Sequence, residues 1–169
     1  MIIDDLNRNI LLKICYFGPA LSGKKSSIKV LRSHFREENE ELGIDKTLQL
    51  TTFFDYGTVR FQSQKWKLNV DVYTSTGQKY YILTKPVTLQ DLDGIIFVVD
   101  SQQVAYHRNV TTWYKLCDLF EDPIYLLPKV VAFNKQDVRN KFCPVDFLDE
   151  ISYYRLKNID FKITNALNG

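Results

Sequence analysis

The sequence predicts an α/β domain with a mostly parallel, doubly wound sheet and one antiparallel hairpin at the sheet edge. Three observations predict this class. Short apolar runs at 10–17, 95–100 and 130–133 are typical of strands buried on both faces. Helical patterns follow each run, and this alternation favours a parallel sheet. The first run leads through a glycine-bearing loop into a helix, which is the context of a phosphate-binding loop.

The elements follow in order along the chain. The N-terminal half predicts a strand at 10–17, a helix at 24–36, a strand at 50–56, a hairpin of 59–61 with 66–73, and a short helix at 79–85. The C-terminal half predicts a strand at 95–100, a helix at 103–120, a strand at 130–133, a helix from Pro144 to about Leu156 and a strand at 161–164. Val104, Trp113 and Leu116 are expected to face inward from the longest of these helices. We assign all 169 residues to a single domain.

Composition excludes several classes of function. The formal net charge is only +2, which gives no reason to expect nucleic acid or membrane binding. No apolar run approaches the length of a membrane span. The three cysteines, Cys15, Cys117 and Cys143, lack metal-site spacing. We interpret them as reduced thiols of a cytoplasmic protein.

The loop from Gly18 to Lys24 is the strongest chemical signal. Two glycines let the backbone curl so that N–H groups point inward, and the following helix N-terminus adds partial positive charge. Lys24 is then expected to reach the β- and γ-phosphates of a nucleotide. The predicted phosphate-binding residues are Gly18, Leu21, Ser22, Gly23, Lys24, Lys25 and Ser26.

One position in this loop departs from the pattern. The residue after the lysine is normally Ser or Thr, whose hydroxyl binds Mg²⁺, but here it is Lys25. An ammonium repels a divalent cation, so the metal either loses a ligand or is replaced by Lys25 itself. Both outcomes remain open from the sequence, and Mg²⁺ binding is therefore left undecided.

Asn134-Lys135-Gln136-Asp137 directly follows a predicted strand. The carboxylate of Asp137 can accept two hydrogen bonds from adjacent N–H and NH₂ donors, which guanine offers and adenine does not. The aliphatic part of Lys135 can lie over the base. Together with the phosphate loop, these residues predict a site for GTP and GDP, although a polar turn after a strand is also common.

These motifs together resemble the Ras-type small GTPases, and several details resemble the bacterial gliding-motility GTPases, the MglA family. The matching segments are Gly18-Pro19-x-Leu21-Ser22-Gly23-Lys24, Thr51-x-Phe53-Phe54-Asp55, Tyr73-Thr74-x-x-Gly77-Gln78 and Asp93-Gly94-Ile95-Ile96-Phe97-Val98-x-Asp100-Ser101-Gln102. The resemblance runs from about residue 10 to the end. It implies a P-loop NTPase fold of Ras-like type and a switch between GTP-bound and GDP-bound states.

The resemblance also implies roles and partners. Gln78 would orient the attacking water, Thr51 would sense the γ-phosphate and the metal, and Gly77 would offer a backbone N–H to the γ-phosphate. With Lys24 they form the expected catalytic set. The backbone N–H of Ala166 would contact the guanine oxygen. The implied partners are a Roadblock-domain activator and effectors of cell polarity or motility, with recruitment to a cell pole.

Three alternatives for the function stay open. GTP hydrolysis is expected to be weak or absent if Lys25 disrupts the metal site. The chain could instead be an interaction module that no longer binds nucleotide, or, with less support, an ATP-dependent kinase. Ras-type folds continue with a long helix after the last strand, whereas this sequence stops at Gly169. We therefore expect that helix either to be absent or to lie beyond this sequence, and without it apolar side chains near the first strand would be exposed.

Overall fold

The computed structural model describes residues 1–37, 54–63, 65–75 and 91–167. Its strands are β1 (Ile2–Asp4), β2 (Asn9–Phe17), β3 (Phe54–Gln62), β4 (Lys67–Ser75), β5 (Gly94–Asp100), β6 (Lys129–Asn134) and β7 (Ile159–Ile163). Its α-helices are α1 (Lys24–Glu37), α2 (Tyr106–Phe120), α3 (Pro123–Leu126) and α4 (Pro144–Glu150), and short 3₁₀ turns cover Gln103–Ala105 and Tyr153–Arg155. Within these ranges no helix is both long enough and apolar enough to cross a bilayer.

The predicted α/β class is confirmed. The sheet runs in the order β3-β4-β2-β5-β6-β7, which is consistent with a Ras-like fold. Strands from β4 through β2, β5 and β6 to β7 pair in parallel with their neighbours. The predicted antiparallel hairpin of β3 with β4 forms the opposite edge of the sheet. Because β-α-β connections bring every parallel strand to the same direction, the carboxyl ends of β2, β5, β6 and β7 share one edge of the sheet.

Helices pack on both faces of this sheet, as a doubly wound fold requires. Neighbouring residues of a strand point to opposite faces, so Phe97 and Val98 belong to different cores. Phe97 packs edge-on against Trp113 of α2 with ring centroids 5.0 Å apart. Val98 contributes to the smaller core that includes Ile28 of α1. The carboxyl end of β5 is thereby fixed from both sides, and this end carries part of the candidate site.

Several local predictions differ from the structure. Residues 50–56 and 59–61 were predicted as separate strand segments, but β3 is continuous from Phe54 to Gln62 and Gly57 pairs in register with Val72. Helix α4 ends at Glu150 rather than Leu156, because Ser152 adopts a left-handed backbone with φ 54°. Val104 was expected in the core but is 87% exposed, since it lies in the 3₁₀ turn before α2.

Strand β1 was not predicted. It pairs antiparallel with β2, where Ile2 faces Leu11 and Ile3 faces Ile10. On the edge of β2 that β1 occupies, β5 pairs with β2 only from Ile14 onward. The first residues of β2 would otherwise leave their backbone groups without a partner, and β1 supplies one.

Some predictions lie outside the described residues or find only partial support. Residues 50–53, the short helix at 79–85, and Thr51, Gly77 and Gln78 lie outside the described ranges. The expected apolar exposure near β2 is partial, because Leu12 and Ile14 are half-buried.

Candidate functional site

Three loops that carry predicted site residues follow parallel strands at one edge of the sheet. The segment at 18–23 follows β2, the segment at 135–137 follows β6, and the segment at 164–167 follows β7. Ligands of open α/β sheets bind outside the carboxyl ends of the strands, where such loops converge. The structure therefore brings the predicted phosphate and base segments to the same end of the molecule.

The loop at 18–23 is curled in a way that only glycine permits at two positions. Gly18 has φ 140°, and a Cβ there would lie 2.3 Å from the carbonyl oxygen of Val98. Gly23 has φ 101°, and a Cβ there would lie 2.1 Å from Nδ2 of Asn134. Leu21 also has a positive φ of 65° and points its side chain into solvent. The loop thus wraps tightly between β5 and the end of β6.

Lys24 closes this loop. Its Nζ donates to the carbonyl oxygens of Gly18 and Pro19 at 2.8 and 2.7 Å, and the residue is only 8% exposed. Burial, with a smaller contribution from nearby Arg108, lowers the pKa of Lys24 to about 8. Below that pH the ammonium is charged and lies at the start of α1, where the helix N-terminus also favours anions. The arrangement can bind a phosphate group.

Asn134 joins two of the three loops. Its side chain is buried, and Nδ2 donates to the carbonyl oxygen of Ser22 at 2.8 Å. Its Oδ1 accepts the backbone N–H of Ala166, also at 2.8 Å. One amide thereby fixes the phosphate loop against the loop after β7. The predicted role of the Ala166 N–H toward a base stays a prediction, because in this structure that donor is bonded to Asn134.

The turn after Asn134 holds the side chain of Lys135 against the protein and leaves Asp137 exposed to solvent. Lys135 has a positive φ of 64°, and its Nζ donates to Oδ2 of Asp100 at 2.8 Å. Gln136 anchors the turn by donating to Oγ of Ser101 at 2.7 Å. Asp137 remains exposed. Its carboxylate is thus presented to solvent on a turn whose other residues are held by the protein.

Asp100 and Arg108 belong to the site but were not predicted to. Asp100 is 1% exposed, and its Oδ2 accepts Arg108 at 3.2 Å as well as Lys135. The available signal was weak, because Asp100 ends a buried strand and Arg108 lies eight residues later without any motif spacing. Only the fold shows that these side chains meet beside Lys135.

The loop does not fit a magnesium ion well. Lys25 is exposed and offers an ammonium, which cannot ligate a cation, at the position where a hydroxyl is needed. The nearby hydroxyl of Ser27 donates to the carbonyl oxygen of Gly23 at 3.1 Å. No cluster of three or more His, Cys, Asp or Glu side chains that could hold a metal occurs in the described ranges.

Two buried hydroxyl groups at this edge lack hydrogen-bond partners among the residues that the structure describes. They are Oγ of Ser22 and Oγ1 of Thr74, and both residues are 0% exposed. Thr74 pairs in register with Tyr16, two residues before Gly18. Buried polar atoms are normally paired, so both hydroxyls are exceptions among the residues that the structure describes.

No family model matches the chain. The chain is similar to the mutual gliding-motility protein MglA of Myxococcus xanthus (strain DK1622). The two are 29% identical over 140 residues, which is 79% of this chain and 72% of that protein. This similarity supports the resemblance to MglA-like small GTPases that the motifs indicate.

Proposed function

We propose that this chain is a guanine-nucleotide-binding switch of the MglA-like small GTPases and that its hydrolysis of GTP is weak or absent. The observation that carries the proposal is the contact of Asn134 with both the phosphate loop and the loop after β7, at 2.8 Å each. A site for a nucleotide needs a phosphate cradle and a base pocket at a fixed separation. We infer that the buried amide of Asn134 holds this separation, because it ties the phosphate loop to the loop after β7.

We assign the phosphates and the base of the nucleotide to different groups of residues. The curled loop and Lys24 bind the phosphates through backbone N–H groups and one ammonium. The exposed carboxylate of Asp137 accepts the N–H and NH₂ of guanine, and the aliphatic stem of Lys135 covers one face of the base. Gly77, Gln78 and Thr51 are proposed to act on the γ-phosphate side.

We further propose that the switch acts in the cytoplasm, at a cell pole, on effectors of polarity or motility, with a Roadblock-domain activator as regulator. These assignments rest on the similarity to MglA and on the motifs. A direct test is native mass spectrometry of the purified protein, with and without EDTA. A bound guanosine nucleotide supports the proposal, and its complete absence after loading with GDP contradicts it.

We expect nucleotide affinity to be insensitive to EDTA, because Lys25 supplies positive charge where the metal would otherwise be held. Calorimetric titration with GDP should give dissociation constants with and without EDTA that agree within about threefold, that is, within roughly 0.7 kcal/mol. The matched variant is Lys25→Ser, which restores the usual hydroxyl. In that variant EDTA should weaken binding, and a wild-type protein that loses GDP in EDTA would refute the expectation.

Affinity for GDP should fall as the pH rises through about 8. The pKa of Lys24 in the free protein is about 8, and a bound phosphate raises it. Below pH 8 the ammonium is charged in both states, whereas above it the free protein must take up a proton on binding, so affinity declines. The Lys24→Arg variant does not titrate in this range and serves as the control. Equal pH profiles for both proteins between pH 7 and 9.5 would contradict the assignment, and fluorescence titration measures them.

An interaction module without a ligand is the second candidate, and Lys25 is the observation that favours it. The two candidates give opposite results in one measurement. Calorimetry that finds no binding of GDP or GTP at millimolar concentration would support the module and exclude the switch.

A further inference from the structure

One buried carboxylate beside the candidate site is shared by two cations. Oδ2 of Asp100 accepts Nζ of Lys135 at 2.8 Å and Nη2 of Arg108 at 3.2 Å. The carboxylate is 1% exposed, whereas Lys135 and Arg108 are 27% and 39% exposed. Lys135 belongs to the predicted base-binding segment, but Arg108 comes from α2 and from no recognised motif. The predicted motif therefore explains the contact of Lys135 with Asp100 but not the contact of Arg108 with the same carboxylate.

Asp100 is held in place independently of both cations. The side chain of Asn109 bonds both backbone groups of Asp100, at 3.1 and 2.8 Å. The backbone N–H and the side-chain amide of Gln102 donate to Oδ1 at 3.2 and 3.1 Å. The carboxylate consequently cannot follow either cation if that cation moves away.

The position of Lys135 creates a conflict that Arg108 resolves. If the ammonium of Lys135 turns from Asp100 toward a ligand, a buried carboxylate is left behind, which is strongly unfavourable without another cation. That carboxylate would also repel the phosphates of the ligand. Arg108 is always charged and remains on Asp100, so the negative charge stays compensated.

The guanidinium of Arg108 has a spare donor for this task. Its Nε is buried and has no hydrogen-bond partner among the residues that the structure describes. Nε–H and Nη2 lie on the same edge of a guanidinium, and these two donors form the fork that binds a carboxylate in bidentate fashion. Oδ1 already accepts both donors of Gln102, so the site that Lys135 vacates on Oδ2 is the one open to this second donor of Arg108.

We propose that Arg108 is a positioning residue that neutralises Asp100 and thereby lets Lys135 exchange between Asp100 and a bound guanine nucleotide. The proposal rests on the proposed nucleotide-binding function. It assigns Arg108 no contact with the nucleotide, and its effect is exerted through Asp100 and Lys135.

The test measures binding of a fluorescent GDP analogue to variants of the full chain. Arg108→Gln should weaken binding by about tenfold, because Lys135 must then stay on Asp100. Arg108→Lys should recover most of the loss, since an ammonium also neutralises the carboxylate. The double variant Asp100→Asn with Arg108→Gln should return close to wild-type affinity, because no charge then retains Lys135. A residue with a merely structural role would not show these two recoveries.

Lys115→Gln is the matched control. Lys115 is exposed on the same helix, so this variant removes the same charge without touching Asp100 and should bind as the wild type does. The proposal is overturned if Arg108→Gln binds within about twofold of the wild type. It is also overturned if the double variant or Arg108→Lys is as weak as Arg108→Gln.

Two further measurements keep folding and function separate. Thermal unfolding of each variant shows whether it folds. If Arg108→Gln does not fold, Asp100→Asn alone takes its place and should bind at least as tightly as the wild type, while a large loss there overturns the proposal. Failure of the wild-type protein to bind GDP would be visible before any variant is made, and it would refute the proposed function itself.

Discussion

Asp137→Asn should transfer the preference of the protein from guanosine to xanthosine diphosphate. The carboxylate of Asp137 accepts two hydrogen bonds from guanine, whereas an asparagine amide places an NH₂ donor against the NH₂ of guanine. Xanthine carries a carbonyl at that position and accepts the same donor. We expect GDP affinity to fall by about a thousandfold, roughly 4 kcal/mol, because a hydrogen bond to a charged group is lost and two donors oppose each other.

Competition binding measures this change. A fluorescent GDP analogue serves as the probe for the wild-type protein, and a fluorescent xanthosine diphosphate analogue serves as the probe for the variant. Displacement of each probe by GDP and by xanthosine diphosphate gives both affinities for both proteins. Asp118→Asn is the matched control, since Asp118 is also exposed but lies on α2 away from the loops. A variant at residue 137 that keeps GDP affinity within about threefold of the wild type would show that Asp137 does not read the base.

Gly18→Ala should destabilise the folded protein much more than Gly94→Ala, whose position has an ordinary backbone. The new Cβ would lie 2.3 Å from the carbonyl oxygen of Val98, a backbone atom that cannot rotate away. Its φ of 140° is also unfavourable for any residue with a side chain. Strain and overpacking together predict a loss of about 2–5 kcal/mol in the free energy of unfolding.

Gly94→Ala provides the comparison for this stability measurement. A Cβ at residue 94 would lie 3.4 Å from the carbonyl oxygen of Pro128, which is ordinary contact, and its backbone needs no positive φ. The free energy of unfolding should then change by less than about 1 kcal/mol. Urea unfolding curves of both variants measure the difference, and equal midpoints for the two would contradict the tight path of the loop past β5.

The sequence allowed most of the sheet to be predicted because buried parallel strands are continuous apolar runs. Residues 95–99 and 130–133 are all apolar, and both segments lie within strands close to those bounds. The phosphate loop was predictable for a related reason, since two glycines at a fixed spacing are demanded by backbone geometry. Features of this kind depend only on residues that are neighbours in the sequence, so they can be predicted from it.

What the sequence did not reveal depends on contacts between distant residues. Strand β1 is only three residues long, and it forms because β2 extends beyond β5. The end of α4 follows from the left-handed backbone at Ser152, which no proline or glycine signals. Arg108 meets Asp100 and Lys135 only because α2 begins beside the carboxyl end of β5. No spacing along the chain predicts that meeting.

The bonds of Asn134 have a consequence for the synthesis of the protein. Asn134 connects a residue 112 positions before it with one 32 positions after it, and the second lies beyond the last strand. A growing polypeptide on the ribosome therefore carries the phosphate loop early but lacks the bond from residue 166 until that residue has been translated. A ligand that needs both loops could therefore stabilise the chain only after residue 166 has been translated, and it could not guide the earlier folding steps.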